Sequence, residues 1–348
     1  MDNVAILPES ERRGLFSETA AKVGLARPSI AEKDFWVCWT LKQIYSLPRP
    51  YSNVIFKGGT TLSKVYGLIK RFSEDIDIAV DRSDLGFTGE RDPASPGLGR
   101  KKRKALVEDL VDKCANYVKV EFQNALENKI RGILGSHGGT WRIEPSSSRK
   151  GSLHFHYPRA FSEPAEMPGY AKPFILLEIG ARAENWPVVD AKIRSYAAEN
   201  FPSYFKEPEC SASVLSAERT FWEKAFVLFR ESCPRHEESE TKERVSRHYY
   251  DIVMISRSEI AEKALRNSKL IEAVREFDQI FFRRGWIDYE NAKPGTFRLL
   301  PSENKLNALK SDYDSMVSEM FFGPAPKFEE LVDELKGLEK KINTPRNV

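Results

Sequence analysis

The segment from Val54 to Asp81, VIFKGGTTLSKVYGLIKRFSEDIDIAVD, constrains this chain more than any other. Its first apolar run, Val54-Ile55-Phe56, reads as a buried strand. Lys57-Gly58-Gly59-Thr60-Thr61 reads as a tight turn into an amphipathic helix that Arg71-Phe72-Ser73 closes, and Glu74 to Val80 as a second strand. Alternation along that strand puts Asp75 and Asp77 on one face and Ile76 and Ile78 on the other. Neighbouring carboxylates repel one another and resist burial. A divalent cation such as Mg²⁺ compensates, because it takes carboxylate oxygens and completes its shell with phosphate and water. Glycines allow close backbone approach, and N–H groups at a helix start favour phosphate. A lone Gly-Gly is commonly just a turn, and a lone Asp-x-Asp a solvated strand edge. In this order within one unit they specify a site for metal and triphosphate together.

With 348 residues, 41% hydrophobic and 30% charged, the chain is long enough for two soluble domains. No apolar run reaches membrane-spanning length and MDNVAILPESERR has no secretory pattern, so a cytoplasmic protein without a membrane partner is expected. Cys38, Cys114, Cys210 and Cys233 are scattered, and the histidines show no ligand spacing; His154 and His156 merely alternate in a strand. Both facts argue against structural zinc and a disulfide framework. A net charge of +3 says little about nucleic acid, so any basic surface must be local. Arg100-Lys101-Lys102-Arg103-Lys104 is such a run, either simply solvated or holding an RNA backbone.

Along the chain, residues 9–47 read as two helices, the second capped by Ser29 with Glu32 at the capping-box position. Residues 83–99 read as a surface loop and 105–134 as a long helix or a pair. Strands are expected over 141–144, 152–157 and 174–180, and a loop over 164–173. From Ser211 onward the pattern is mostly helical, with Ser213 or Ser216 as a cap, a polar loop over 231–243 and a last amphipathic helix over 328–342. Glu178 interrupts an apolar run, which costs several kcal/mol unless the carboxylate is paired or metal-bound. A metal ligand or an ion pair with Arg182 would each account for it. Lys224, beside Trp222 and Phe226, reads as a lysine that snorkels outward. Arg247 and Asp251 share a helix face and can pair with each other.

The Gly-Gly and Asp-x-Asp elements resemble motif I of the DNA polymerase beta-like nucleotidyltransferase superfamily. More closely, FKGGTTLSKVYGLIKRFSEDIDI is similar to the AbiEii/AbiGii toxin family, the nucleotidyltransferase half of type IV-like toxin–antitoxin pairs, related to the MenT toxins. Ala31-Glu32-Lys33-Asp34-Phe35 resembles that family's EKD(F/Y) signature, either a helix start packed on the core or a ligand contact. The Glu218 to Ala225 stretch resembles its E…EK…A motif, and Arg247 to Ile252 its R-x-x-x-D-(I/L) motif.

The resemblance implies an α/β polymerase beta-like core, a mixed sheet flanked by helices, over 1–205. A mainly helical domain over 206–348 follows, with the site in the cleft between. It implies Asp75, Asp77 and Glu178 as ligands of two Mg²⁺ ions, and Gly58, Gly59, Thr60 and Lys64 around the phosphates of an NTP. Ser73 would contact phosphate or only end the preceding helix. Lys224 would neutralise developing charge with Asp251 in support. The implied biology is a toxin with a cognate antitoxin, adding nucleotides to an acceptor, with the 3′ end of tRNA foremost. A small-molecule or protein acceptor is the alternative. A non-catalytic NTP-binding regulator is disfavoured by the retention of Asp75, Asp77, Glu178 and Lys224.

Overall fold

The computed structural model describes residues 1–135, 139–161, 172–233, 244–321 and 323–345. It divides into two compact units, one of Met1–Val65 with Phe72–Leu215 and the other of Tyr66–Arg71 with Ser216–Val348. The loop expected over 164–173 and the polar stretch over 231–243 fall mostly outside the described residues.

The first unit is built on a seven-stranded mixed sheet. Its strands are β1 (Val54–Lys57), β2 (Ile76–Val80), β3 (Arg142–Pro145), β4 (Ser152–His156), β5 (Ile175–Gly180), β6 (Val188–Arg194) and β7 (Glu209–Leu215), in the order β3-β4-β5-β2-β1-β7-β6. The central strands β1 and β2 are antiparallel, while β2 runs parallel to β5 and β1 to β7. Helices α1 (Asp2–Ala5), α2 (Glu9–Val23), α3 (Pro28–Tyr45), α4 (Gly59–Lys64), α5 (Arg100–Tyr117), α6 (Gln123–Leu134) and α7 (Tyr196–Asn200) accompany it. One π-helical turn, Val118–Phe122, joins α5 to α6. Of the long helix or pair expected over 105–134, the chain forms one long run with a bulge.

Helix α3 is the hub of this core. Trp36 and Trp39 are fully buried and pack against each other, Phe35, Phe155 and Tyr157. Burying such a ring removes on the order of 150–250 Å² from water, worth roughly 4–6 kcal/mol before entropy is subtracted. The helix begins at Pro28, with Arg27 as N-cap and no side-chain cap. The expected Ser29 cap and Glu32 capping box do not form, because Pro28 already supplies a first helical residue without an N–H to satisfy.

Two further expectations are corrected, and one strand was not read at all. The helix after the glycine turn stops at Lys64, not near Arg71. β-Branched Val65 ends it and Gly67, at φ +61°, turns the chain out of helical space. Residues 211–215 belong to a strand, β7, whose inward positions are the small or β-branched Cys210, Ala212 and Val214. Its neighbour β6 went unread because, at the sheet edge, it buries only Ile193 and carries no apolar alternation.

The second unit is helical. It comprises α8 (Ala217–Glu231), α9 (Ser246–Ser256), α10 (Glu259–Arg266), α11 (Ser268–Phe281), α12 (Glu303–Met320) and α13 (Phe328–Asn343). Ser216 is the N-cap of α8, accepting from the Arg219 N–H at 3.2 Å. Trp222, Phe226 and Phe229 of α8 close around Phe297, and Trp222 donates its indole N–H to the Ala264 carbonyl at 3.1 Å. Among the described residues no helix is long and apolar enough to cross a membrane.

Candidate active site

Asp77 of β2 stands in register with Lys57 of β1 on one side and Glu178 of β5 on the other, and Glu178 in turn with Ser152 of β4. Residues in register on adjacent strands, about 4.8 Å apart, share a face of the sheet. Asp75, one residue ahead of β2, is buried, while Asp77 and Glu178 are half-buried. Asp77 and Glu178 therefore share one face of the central strands, with Asp75 just ahead of β2. The cation on Glu178 is Arg149, from the turn between β3 and β4, rather than Arg182. That guanidinium is half exposed and reaches in from solvent.

The glycine turn is shaped against Asp77. Gly58 holds φ +84°, and a Cβ at that position would overlap the Asp77 carboxylate. Only glycine permits both the backbone angle and the approach. Behind it, Thr61 Oγ1 donates to the Gly58 carbonyl at 2.8 Å. Thr60 Oγ1 donates to the Asp75 carbonyl at 2.6 Å and lies 3.0 Å from Ser73 Oγ. Both threonines are buried. Thr60 and Ser73, expected at the phosphates, are thus brought together where they fix the backbone of Asp75.

The consecutive charged residues of α3 hold the segments around this face, each reaching a different one. Glu32 accepts from the Ala160 N–H. Lys33 donates to Glu74 at 2.6 Å and to the Lys172 carbonyl at 2.6 Å. Asp34 pairs with Lys64 at the end of α4 and accepts from the Tyr196 N–H at 2.6 Å. All three are buried. Lys64, expected beside phosphate, lies instead over the Tyr196 ring at 3.3 Å. Burial opposes its charge, but Asp34 with Tyr196 and Cys38 together offset this and raise its pKa. The Glu32-Lys33-Asp34 run positions the glycine helix and the residue before Asp75. A charged triplet at a helix start was the available signal, and its partners, far along the chain, were not.

The second unit holds a separate charged cluster. Asp251 of α9 accepts from Arg71 through both oxygens, at 2.8 and 2.7 Å, and from Lys224 of α8 at 2.7 Å. Burial alone would raise the Asp251 pKa, yet Arg71 and Lys224 together hold it well below the carboxylate range. Burial lowers the pKa of Lys224, Asp251 opposes this, and Arg71 adds to the lowering. The Arg247–Asp251 pairing that their spacing allows gives way to Arg71, which arrives on the short segment Tyr66–Arg71 of this unit. That partner lies 180 residues away in sequence, so helical spacing carried no trace of it.

The site is built on a mixed α/β sheet that presents Asp77 and Glu178 in register beside a glycine turn. The chain belongs to the nucleotidyl transferase AbiEii toxin family of type IV toxin–antitoxin systems, whose family model matches residues 39–334. Among solved structures it is similar to MenT4, a nucleotidyltransferase toxin from Mycobacterium tuberculosis H37Rv. The two are 14% identical with a TM-score of 0.44, over 95% of this chain and 99% of that one. No curated protein matches the chain.

Proposed function

We propose that this nucleotidyltransferase toxin moves a nucleotidyl group from an NTP to the 3′ end of a tRNA, and that it requires Mg²⁺ to do so. The observation that carries the reading is the register of Asp77 with Glu178, with Gly58 fitted against Asp77. Asp75, Asp77 and Glu178 offer carboxylate oxygens, the donors a hard divalent cation takes, and Asp77 and Glu178 stand in register on adjacent strands. Bound there, Mg²⁺ would polarise the phosphoryl group and neutralise the leaving pyrophosphate. Arg149 has to release Glu178 for this, and its half-exposed position leaves it free to swing into solvent.

The chain's own residues do the remaining work. Gly58 and Gly59 let the triphosphate approach the backbone, and Thr60 with Ser73 holds Asp75 in place. Lys224 is assigned to the triphosphate and Asp251 to holding it. Lys64 is assigned to anchoring α4 through Asp34. The tRNA assignment is supported by the exposed Lys101, Lys102 and Lys104 on the first turns of α5. As a toxin of this family the protein is expected to have a cognate antitoxin encoded nearby.

Incubating the protein with each labelled NTP, Mg²⁺ and total RNA tests the reading. Label should enter the tRNA band and vanish for Asp77→Ala and Lys224→Ala. Label in protein or in a small molecule would replace the acceptor assignment. NTP binding without transfer would leave a regulator. Charge reversal at Lys101 and Lys102 should weaken RNA binding while NTP binding survives.

A further inference from the structure

A second group of metal-ligating side chains stands on the sheet face that carries Glu178. His154 of β4 is in register with Leu176 of β5, two residues from Glu178, and with Glu144 of β3 on its other side. His156 follows His154 by two and so shares its face. One ligand atom from each of Glu144, His154 and His156 lies within 4.8 Å of the others. Four-coordinate zinc with bonds near 2.0–2.1 Å needs its donors about 3.3 Å apart, so the three side chains have only a short way to close. The expectation that His154 and His156 merely alternate along a strand omitted the residue beside them, which only sheet pairing reveals.

We propose that Glu144, His154 and His156 form a site for a first-row divalent ion of the zinc class, distinct from the carboxylate site at Asp75, Asp77 and Glu178. The donor set argues for that class, since two imidazoles and one carboxylate suit zinc and its neighbours, whereas Mg²⁺ prefers oxygen alone. The surroundings fix the ligands. Glu144 Oε2 accepts from Arg142 Nε at 3.2 Å, which leaves Oε1 directed at His156 Nε2, 2.8 Å away. The His154 ring stacks on Phe174 at 4.1 Å between centroids, which holds its plane. Partners of this kind orient ligands in metal sites. Arg142 Nη2 also lies 3.4 Å from His156 Nε2, and this exposed guanidinium turns away when an ion enters. Three protein donors leave a fourth position open. The ion would clasp β3, the edge strand, to β4.

Titration of the full chain with Co²⁺ under visible spectroscopy tests the site, since four-coordinate Co²⁺ absorbs far more strongly than the aqueous ion. One Co²⁺ per chain should give such bands, and Zn²⁺ but not excess Mg²⁺ should abolish them. His154→Gln and His156→Gln should each weaken binding about 100-fold, on the scale by which metal sites respond to damaged ligand shells. Glu144→Gln, at a half-exposed position that leaves the fold unstrained, should weaken it as well. Asp77→Asn should keep the bands whether or not nucleotidyl transfer survives, so failure of this site and of the carboxylate site are told apart. Absent bands in the wild type, bands that persist in both histidine variants, or bands lost in Asp77→Asn would overturn the proposal.

Discussion

Lys33 of α3 and Glu74 form an ion pair at 2.6 Å with both side chains almost wholly shielded from solvent, one residue ahead of Asp75. Removing one partner of such a pair strands a buried charge and costs about 3–5 kcal/mol, whereas removing both with apolar residues of similar volume is close to neutral. Lys33→Met should therefore destabilise the first unit by about that amount, and Lys33→Met combined with Glu74→Met should recover most of it. Denaturant unfolding of the two variants against wild type measures the cycle. Equal destabilisation in the single and the double variant would mean the pair holds nothing in place.

Gly58 gives a sharper test of the site. A side chain there faces both a left-handed backbone angle and overlap with the Asp77 carboxylate. Gly58→Ala should abolish nucleotidyl transfer and cost about 1–3 kcal/mol or more in stability, since its φ of +84° with ψ of −159° is a backbone region that essentially only glycine adopts. Gly14→Ala is the control, because its added Cβ meets nothing within 4 Å and lies inside α2. That substitution should stabilise by roughly 0.5–1 kcal/mol and leave transfer unchanged. An active Gly58→Ala protein would remove the turn from the site.

Glu32 should make stability fall with rising pH. Burial pushes its carboxyl up to about 7, although the Ala160 N–H and Arg12 pull the other way. A carboxyl raised above its unfolded value of 4.5 binds more protons folded than unfolded between the two pKa values. Stability is then highest below about pH 4.5 as far as this group is concerned, declines to about pH 7, and stays lower beyond by about 3 kcal/mol. Glu32→Gln keeps an acceptor for the Ala160 N–H and removes the titration. Melting temperatures of the two proteins from pH 5 to 8 should diverge, with the variant the more stable at pH 8. Parallel curves would show that Glu32 carries its charge without penalty.

The parts legible from sequence were those written locally. Gly58 and Asp77 are close in the chain, and Glu178 stood out as a charge in an apolar run. The parts that stayed dark depend on which distant segments meet. Glu32, Lys33 and Asp34 read as a helix start because Ala160, Glu74 and Tyr196 cannot be located by periodicity. Lys64 read as a phosphate ligand for the same reason, since Asp34 lies on another helix. Gly67 was a signal in view that the apolar pattern around it outweighed, and the helix was drawn too long. His154 and His156 were seen, but Glu144 becomes their neighbour only when β3 and β4 pair.

Asp251 pairs with both Arg71 and Lys224, which makes it the sensitive point of the second unit. Asp251→Asn keeps the shape but leaves two buried cations facing a neutral amide. The expected cost is about 3–5 kcal/mol in the unfolding of that unit. Because Arg71 and Lys224 depress the Asp251 pKa, the wild-type contribution is present above the unfolded value of 3.8 and disappears as pH falls through the lower folded value. The gap between wild type and variant should accordingly be full at neutral pH and close only in strong acid. Adding Lys224→Met to Asp251→Asn should restore part of the loss, since one stranded cation is then gone. Arg71→Lys should cost stability even with charge retained, because a single ammonium cannot reproduce the two-point grip on the carboxylate. Acid unfolding monitored for all four proteins separates these outcomes, and indifference to Asp251→Asn at pH 7 would mean that solvent, rather than Asp251, balances the cations.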